Sequence, residues 1–266
     1  MNSWTKASIE LANQKNYLDE LYKVYPITPN SRRPLPKDKE ENIRAAFENN
    51  DKVKLIEQLL DWDLFPIKDS YVAYLKRDKK SISRNPQAIN RIAENLFQMG
   101  IEEIIYRCTE PKETNRQIGP MFKNWINTGA LGVPVYKTVS EFLNSEENCI
   151  FNSSDIAMEK FAREYLGFTR EKGIDFIAKF NNKYVIAETK FLTDFGGHQN
   201  AQFSDATSTM HSEIKNKNLE NEVIPIAIMD GVLYIKSNNK MYRYLLENPN
   251  QIILSSLILK EFLYSL

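Results

Sequence analysis

Cysteine is nearly absent from this chain: Cys108 and Cys149 are the only two in 266 residues. That excludes a disulfide framework and a four-Cys zinc site, and it suits a reducing cytoplasm. Histidine is equally scarce, and His198 and His211 are too few for most His-based metal sites. No run of about 18 apolar residues occurs, so nothing is expected to span a membrane. The opening MNSWTKASIELANQ has no apolar core of signal-peptide type. An excess of one charge is missing too: 35 Lys and Arg balance 35 Asp and Glu. Any nucleic-acid surface must therefore come from local clustering. No internal repeat or low-complexity tract stands out. What remains, with 42% hydrophobic and 26% charged residues, has the composition of an ordinary globular protein with a substantial core.

The most informative stretch is Gly173 to Lys190, GIDFIAKFNNKYVIAETK. Residues 174–180 and 183–190 are rich in β-branched and aromatic side chains, and Asn181-Asn182 lies between them. Asn tolerates positive φ, so the pattern predicts a β-hairpin with a two-residue turn of the primed type. Phe180 then faces Lys183, and counting outward sets Asp175 opposite Glu188. Side chains alternate along a strand, so Glu188 and Lys190 share a face with Asp175 beside them. Two carboxylates facing each other across a ladder cost about 0.2–1 kcal/mol. A divalent cation gives that arrangement a purpose, because Mg²⁺ takes carboxylate oxygens and makes its bound water more acidic. The other reading of the same residues is a salt-bridged surface hairpin. Glu-x-Lys recurs at Glu110-Pro111-Lys112 and Glu213-Ile214-Lys215, but neither ends a predicted apolar strand.

Asp175 followed by Glu188-Thr189-Lys190 resembles the D…(D/E)xK signature of the PD-(D/E)xK nuclease superfamily, and most of all that of type II restriction endonucleases. The helix that precedes the hairpin in that family has a counterpart in residues 154–167. Apolar residues there recur with helical period, Ser154 or Asp155 can cap the start, and Gly167 can end it. Ile174 stands where the family often has Pro. The resemblance runs from about Asp155 to Met229. It implies an α/β (α+β) restriction-endonuclease-like fold, a mixed sheet flanked by helices, and Mg²⁺-dependent hydrolysis of phosphodiester bonds in double-stranded DNA. By the same resemblance Asp175 and Glu188 bind the metal and the carbonyl of Thr189 joins them. Lys190 positions the attacking water, and Glu159 is the acidic residue of the preceding helix that faces the metal. A homodimer and a cognate DNA methyltransferase as genetic partner are further implications. The shortage of histidine tells against a nuclease of the HNH type.

The N-terminal half reads as mostly helical. One helix is expected over 4–25, another helical stretch over 38–61, and helix or strand over 69–75. Lys76, Arg77, Lys79, Lys80, Arg84 and Arg91 cluster with Asp78 as the only acid, just before a helix expected over Pro86–Met99 with Gly100 as its stop. Lys79, Lys80 and Arg84 are therefore candidate phosphate contacts, against the plainer reading of a solvated basic loop. Asn115, Arg116 and Gln117 are of the types that read base edges, or else belong to a surface loop. Beyond Lys190, Gly196-Gly197 permits close backbone approach, and a polar helix expected to reach Lys217 brings Gln199, Asn200 and Gln202 as candidate DNA contacts. Residues 222–229 read as a strand that turns at Asp230-Gly231 into a hairpin, and 251–266 as an apolar helix, either closing the core or serving as a dimer surface.

The sequence thus divides into a DNA-holding or recognition region, 1–147, and a catalytic region, 148–266. The function expected is that of a cytoplasmic type II restriction endonuclease. The alternatives are a repair or junction-resolving nuclease of the same superfamily, and a non-catalytic DNA-binding protein that kept the fold.

Overall fold

The computed structural model describes residues 1–26, 32–111, 117–170, 173–215 and 221–266. They fall into two compact units, one drawn from residues 1–27 and 113–266 and the other from 28–112. The chain therefore does not divide at residue 147. Ile9, Leu21, Val24, Phe122 and Ile126 share one core with the strands that follow, so both ends of the N-terminal half belong to the sheet.

The first unit opens with α1 (Ser3–Ala12) and α2 (Tyr17–Val24). The single helix expected over 4–25 is broken at Asn16, whose φ of 70° is left-handed. Among its described residues the second unit has helices as its only regular elements: α3 (Lys37–Glu48), α4 (Lys52–Leu60), α5 (Ser70–Arg77), α6 (Ser81–Arg84), α7 (Pro86–Met99) and α8 (Ile101–Cys108). The stretch 38–61 is likewise two helices. Asn50 takes φ 53°, and Asp51 caps α4 by accepting from the Lys54 N–H at 3.0 Å. Residues 69–75 resolve as helix, with Asp69 as the cap of α5. Helix α7 has Pro86 at its start and Gly100, at φ 84°, as its stop. Leu55, Ile56, Leu59, Ile92, Leu96 and Ile104 close the core of this unit.

The chain returns to the first unit with α9 (Ile118–Asn127), β1 (Val135–Tyr136), α10 (Val139–Asn144), β2 (Cys149–Phe151) and α11 (Asp155–Glu164). Then come β3 (Phe176–Phe180), β4 (Lys183–Leu192), α12 (Gly197–Met210), β5 (Val223–Gly231), α13 (Lys240–Glu247), β6 (Ile253–Leu254) and α14 (Leu259–Tyr264). Among the described residues six strands form one sheet in sequence order. β1 runs parallel to β2, β2–β3–β4 are antiparallel, and β4–β5–β6 are parallel. The molecule is thus mixed α/β, with helices against both faces of a mixed sheet. Strand alternation separates two cores: Ile150, Phe176, Ala178, Val185 and Ala187 on one side, and Phe151, Ile177, Tyr184 and Ile186 with Met158 and Phe161 of α11 on the other.

Two expected elements of the C-terminal half differ in kind. Asp230-Gly231 does not turn a hairpin; it ends β5, and a 3₁₀ turn, Val232–Tyr234, follows. The reason is that the Asp230 side chain is drawn inward. It accepts from the Tyr25 hydroxyl at 2.9 Å, from the Ser256 N–H at 3.3 Å and from the Ser255 hydroxyl. Gly231, at φ 101°, lies so close to β4 that a Cβ there would come 1.9 Å from the Leu192 carbonyl oxygen. The last segment is not one helix but β6, a 3₁₀ turn and α14, and its Ile253, Leu254, Leu259, Phe262 and Leu263 are buried within their own unit. They close the core, so they do not supply a dimer surface. Pro225 is accommodated because the Ala227 N–H points towards β6. Two residues earlier that same side lies beyond the start of β6 pairing. Among the described residues no helix is long and apolar enough to cross a membrane.

Candidate active site

The hairpin forms as its residues dictate. Asn181 and Asn182 adopt φ of 47° and 61°, the left-handed pair that a type I′ turn requires. Phe180 pairs with Lys183 and Phe176 with Ala187. One step further out, Asp175 precedes β3, and its N–H donates to the Ala187 carbonyl at 3.0 Å. Asp175, Glu188 and Lys190 come together. Lys190 Nζ lies 3.4 Å from Asp175 Oδ2 and 3.4 Å from Glu188 Oε2. Asp175 Oδ2 also accepts from the Thr189 N–H at 2.8 Å. Glu188 is 1% exposed, whereas Asp175 and Lys190 are each about a quarter open to solvent at 27% and 24%.

This geometry alters the simple picture of two repelling acids. The lysine ammonium bridges them, and a backbone N–H holds one of them. Burial works to depress the Lys190 pKa, but the neighbouring Asp175 and Glu188 carboxylates outweigh it and hold the ammonium above its ordinary value. The other oxygen of Glu188, Oε1, accepts from the Thr209 hydroxyl of α12. Thr209 Oγ1 in turn accepts from Arg170 Nη1 at 3.1 Å. Thr189 turns its side chain to the opposite face of the sheet, where its hydroxyl is buried with no hydrogen-bond partner among the described residues.

Glu159 does not join this cluster. α11 buries Met158, Phe161 and Ala162 against the sheet, and the next position round the helix points aside. Glu159 lies 3.8 Å from Arg163 of its own helix and lines a surface groove with Ile156 and Lys160. Among the described residues no group of three or more His, Cys, Asp or Glu side chains is placed to hold a metal. Among the described residues Asp175 and Glu188 stand as a pair of acids, without a third.

A family model described as Tsp45I type II restriction enzyme matches residues 2–266. The chain belongs to that family. No curated protein and no solved structure matches it. The match spans both compact units, whereas the sequence resemblance covered only the second half.

In a restriction enzyme, side chains that read bases must be able to leave the protein surface. Gln199 is 6% exposed, and its Oε1 accepts from the Thr193 N–H at 3.3 Å, so it braces the loop after β4 from inside. Asn200 donates to the Phe195 carbonyl at 2.7 Å in the same loop. Gln202 is the member of this group that faces outward, 3.1 Å from the exposed His198 ring. Helix α12 ends at Met210, short of Lys217. In the helical unit Lys79 is paired with Asp61, Arg84 with Asp78 and Arg91 with Asp69. Lys80 carries no ion pair among the described residues. Gln117 immediately precedes α9, while Asn115 and Arg116 lie outside the described residues. Sequence reasoning missed Thr209 and Arg170. Thr209 lies in a helix of weak amphipathic pattern and Arg170 in the connection before the hairpin, and no local motif joins them to Glu188.

Proposed function

We propose that this chain is a Mg²⁺-dependent type II restriction endonuclease of the PD-(D/E)xK kind, with a restriction-endonuclease-like catalytic fold. It hydrolyses phosphodiester bonds at a specific site in double-stranded DNA. The supporting observation is the Lys190 ammonium, 3.4 Å from a carboxylate oxygen of both Asp175 and Glu188, in a chain of restriction-enzyme family. The donor set fits the metal. It is all hard oxygen, the two carboxylates already converge on one positive charge, and Mg²⁺ ordinarily takes only one or two protein carboxylates, leaving its other positions to water and substrate phosphate. Asp175 and Glu188 would hold it, with the Thr189 carbonyl. When bound, the metal supplies positive charge to the phosphate and a more acidic water.

The chain's own residues do the rest. Asp175 is held in place by the Thr189 N–H, and Glu188 by Thr209, so neither carboxylate must reorganise. Lys190 carries its proton in this arrangement, so it serves as a hydrogen-bond donor that orients the attacking water and offers charge to the phosphate. Lys80 and the paired cations Lys79 and Arg84 would grip the DNA backbone, and Gln202 with Gln117 would face the bases. Homodimeric action, a partner methyltransferase and a cytoplasmic setting complete the reading.

Unmethylated phage DNA incubated with the purified protein and Mg²⁺ is expected to yield discrete bands, which a chelator abolishes. Asp175→Asn should lower cleavage by about 10³-fold or more, the loss of several kcal/mol of transition-state stabilisation, while unfolding cooperatively like the wild type. Bands of equal strength from that variant would remove Asp175 from the chemistry.

A further inference from the structure

Glu188 is the most enclosed member of the site, and its two oxygens have different partners: Oε2 meets Lys190 at 3.4 Å, and Oε1 meets the Thr209 hydroxyl. A hydroxyl has one hydrogen to give. Thr209 Oγ1 also lies 3.4 Å from the Asp205 carbonyl oxygen, a second acceptor one turn back in α12. Arg170 bears on the choice between them. Its Nη1 donates to Thr209 Oγ1 at 3.1 Å and to Ser208 Oγ at 2.8 Å, and its Nη2 lies 3.7 Å from Asp205 Oδ1. Arginine can only donate, so Oγ1 must be the acceptor in that bond. The hydroxyl hydrogen is left for Glu188, with which it makes the much closer contact.

We infer that Arg170 and Thr209 are positioning residues that fix the Glu188 carboxylate through Oε1, so that Oε2, the oxygen that faces Lys190, is presented to the cation at the site. This rests on the reading of Glu188 as a metal-binding carboxylate. Thr209 acts on Glu188, and Arg170 acts through Thr209. Partners of this kind behind a metal-binding group typically contribute 10–100-fold in affinity or activity.

The test uses the full chain. Thr209→Val keeps the shape and removes the hydroxyl. It should weaken Mn²⁺ binding, measured by electron paramagnetic resonance without DNA, by about 10-fold or more, and slow single-turnover cleavage at limiting Mg²⁺ while DNA affinity without metal stays unchanged. Thr209→Ser restores the hydroxyl and should restore both readings. Arg170→Gln should weaken Mn²⁺ binding less than Thr209→Val does, and the double variant should be no worse than Thr209→Val alone. Wild-type Mn²⁺ binding in Thr209→Val overturns the inference, as does failure of Thr209→Ser to recover it. A double variant whose losses multiply removes Arg170 from the relay. Glu188→Gln separates the inference from its foundation. If that variant is inactive and does not bind Mn²⁺ while Thr209→Val behaves as wild type, only the relay is wrong. If Glu188→Gln binds Mn²⁺ and cuts as wild type, the assignment of Glu188 falls and the relay with it.

Discussion

Two buried carboxylates lie on neighbouring strands of the same sheet, and their surroundings differ in one decisive respect. Glu188 of β4 is 1% exposed and Asp230 of β5 is 0% exposed. Both accept hydroxyl hydrogen bonds: Glu188 from Thr209, Asp230 from Tyr25 and Ser255. Glu188, however, faces an ammonium and a partly open second carboxylate. Asp230 lies on the opposite face of the sheet beneath Tyr17 and Tyr25, with no cation paired to it among the described residues. Burial pushes its carboxyl pKa upward, against the hydrogen bonds from Ser255, Ser256 and Tyr25 that pull it down. Burial alone therefore does not mark a reactive acid. A neighbouring cation and a path to solvent separate the proposed site of chemistry from a clasp that ties α2 and the C-terminal segment to the strand ends.

The largest effect that would break this contrast is at Lys190. Lys190→Ala should lower the single-turnover rate by about 10²–10⁴-fold, with a far smaller change in DNA affinity. A variant that binds poorly yet cuts normally once bound would make Lys190 a phosphate contact. Asp230→Asn should leave the cleavage rate per folded molecule intact and lower stability by about 1–3 kcal/mol, because a buried donor loses its acceptor. The sign of its pH dependence follows from the raised pKa. The folded state holds the Asp230 proton more tightly than the unfolded chain does. That contribution is fully present below the unfolded value, about 3.9, and is lost as pH rises through the higher folded value. Wild type should thus gain stability relative to Asp230→Asn as pH falls from 7 towards 4, by at most about 1.4 kcal/mol per unit. Parallel melting curves across that range would make Asp230 electrostatically inert. The smallest effect is expected where an acid has a cation but no burial: Asp61 with Lys79, on the helical unit's surface. Such exposed pairs contribute about 0–1 kcal/mol. Lys79→Ala should weaken binding to all DNA sequences alike and reduce the salt slope by about one ion. A sequence-dependent loss measured over several salt concentrations would assign it to base reading instead.

What the sequence made legible was the part of the site built from neighbours in the chain. Asn181-Asn182, the alternation on either side of it and the resulting register bring Asp175, Glu188 and Lys190 together with no information from elsewhere. Helix α11 was readable for the same reason, through Ser154 and Gly167. Asp230-Gly231 misled because its turn chemistry is overridden by partners at residues 25, 255 and 256. The helix breaks at Asn16 and Asn50 fall in short polar runs, residues 13–16 and 48–52, between apolar segments that read together as one helix. Gln199 reads as an outward contact by residue type, yet an amide buried under a loop has no local signature. Arg170 and Thr209 are separated by an intervening hairpin, so only the folded chain relates them to Glu188.

The tight turn between β3 and β4 also bears on the order in which the site is assembled. Asp175 and Glu188 are thirteen positions apart, and hairpins close in about 1–10 μs. The parallel pairing of β4 with β5, which joins Ala187 to Ile226, must await a long crossover and is intrinsically slower. The two acids can therefore meet before the walls around them exist, while water still screens their repulsion and Lys190 is already at hand. The costly step, taking Glu188 out of water, can then coincide with the docking of α12, which carries Thr209. In this order the carboxylate loses its hydration only as its replacement hydrogen bond is delivered.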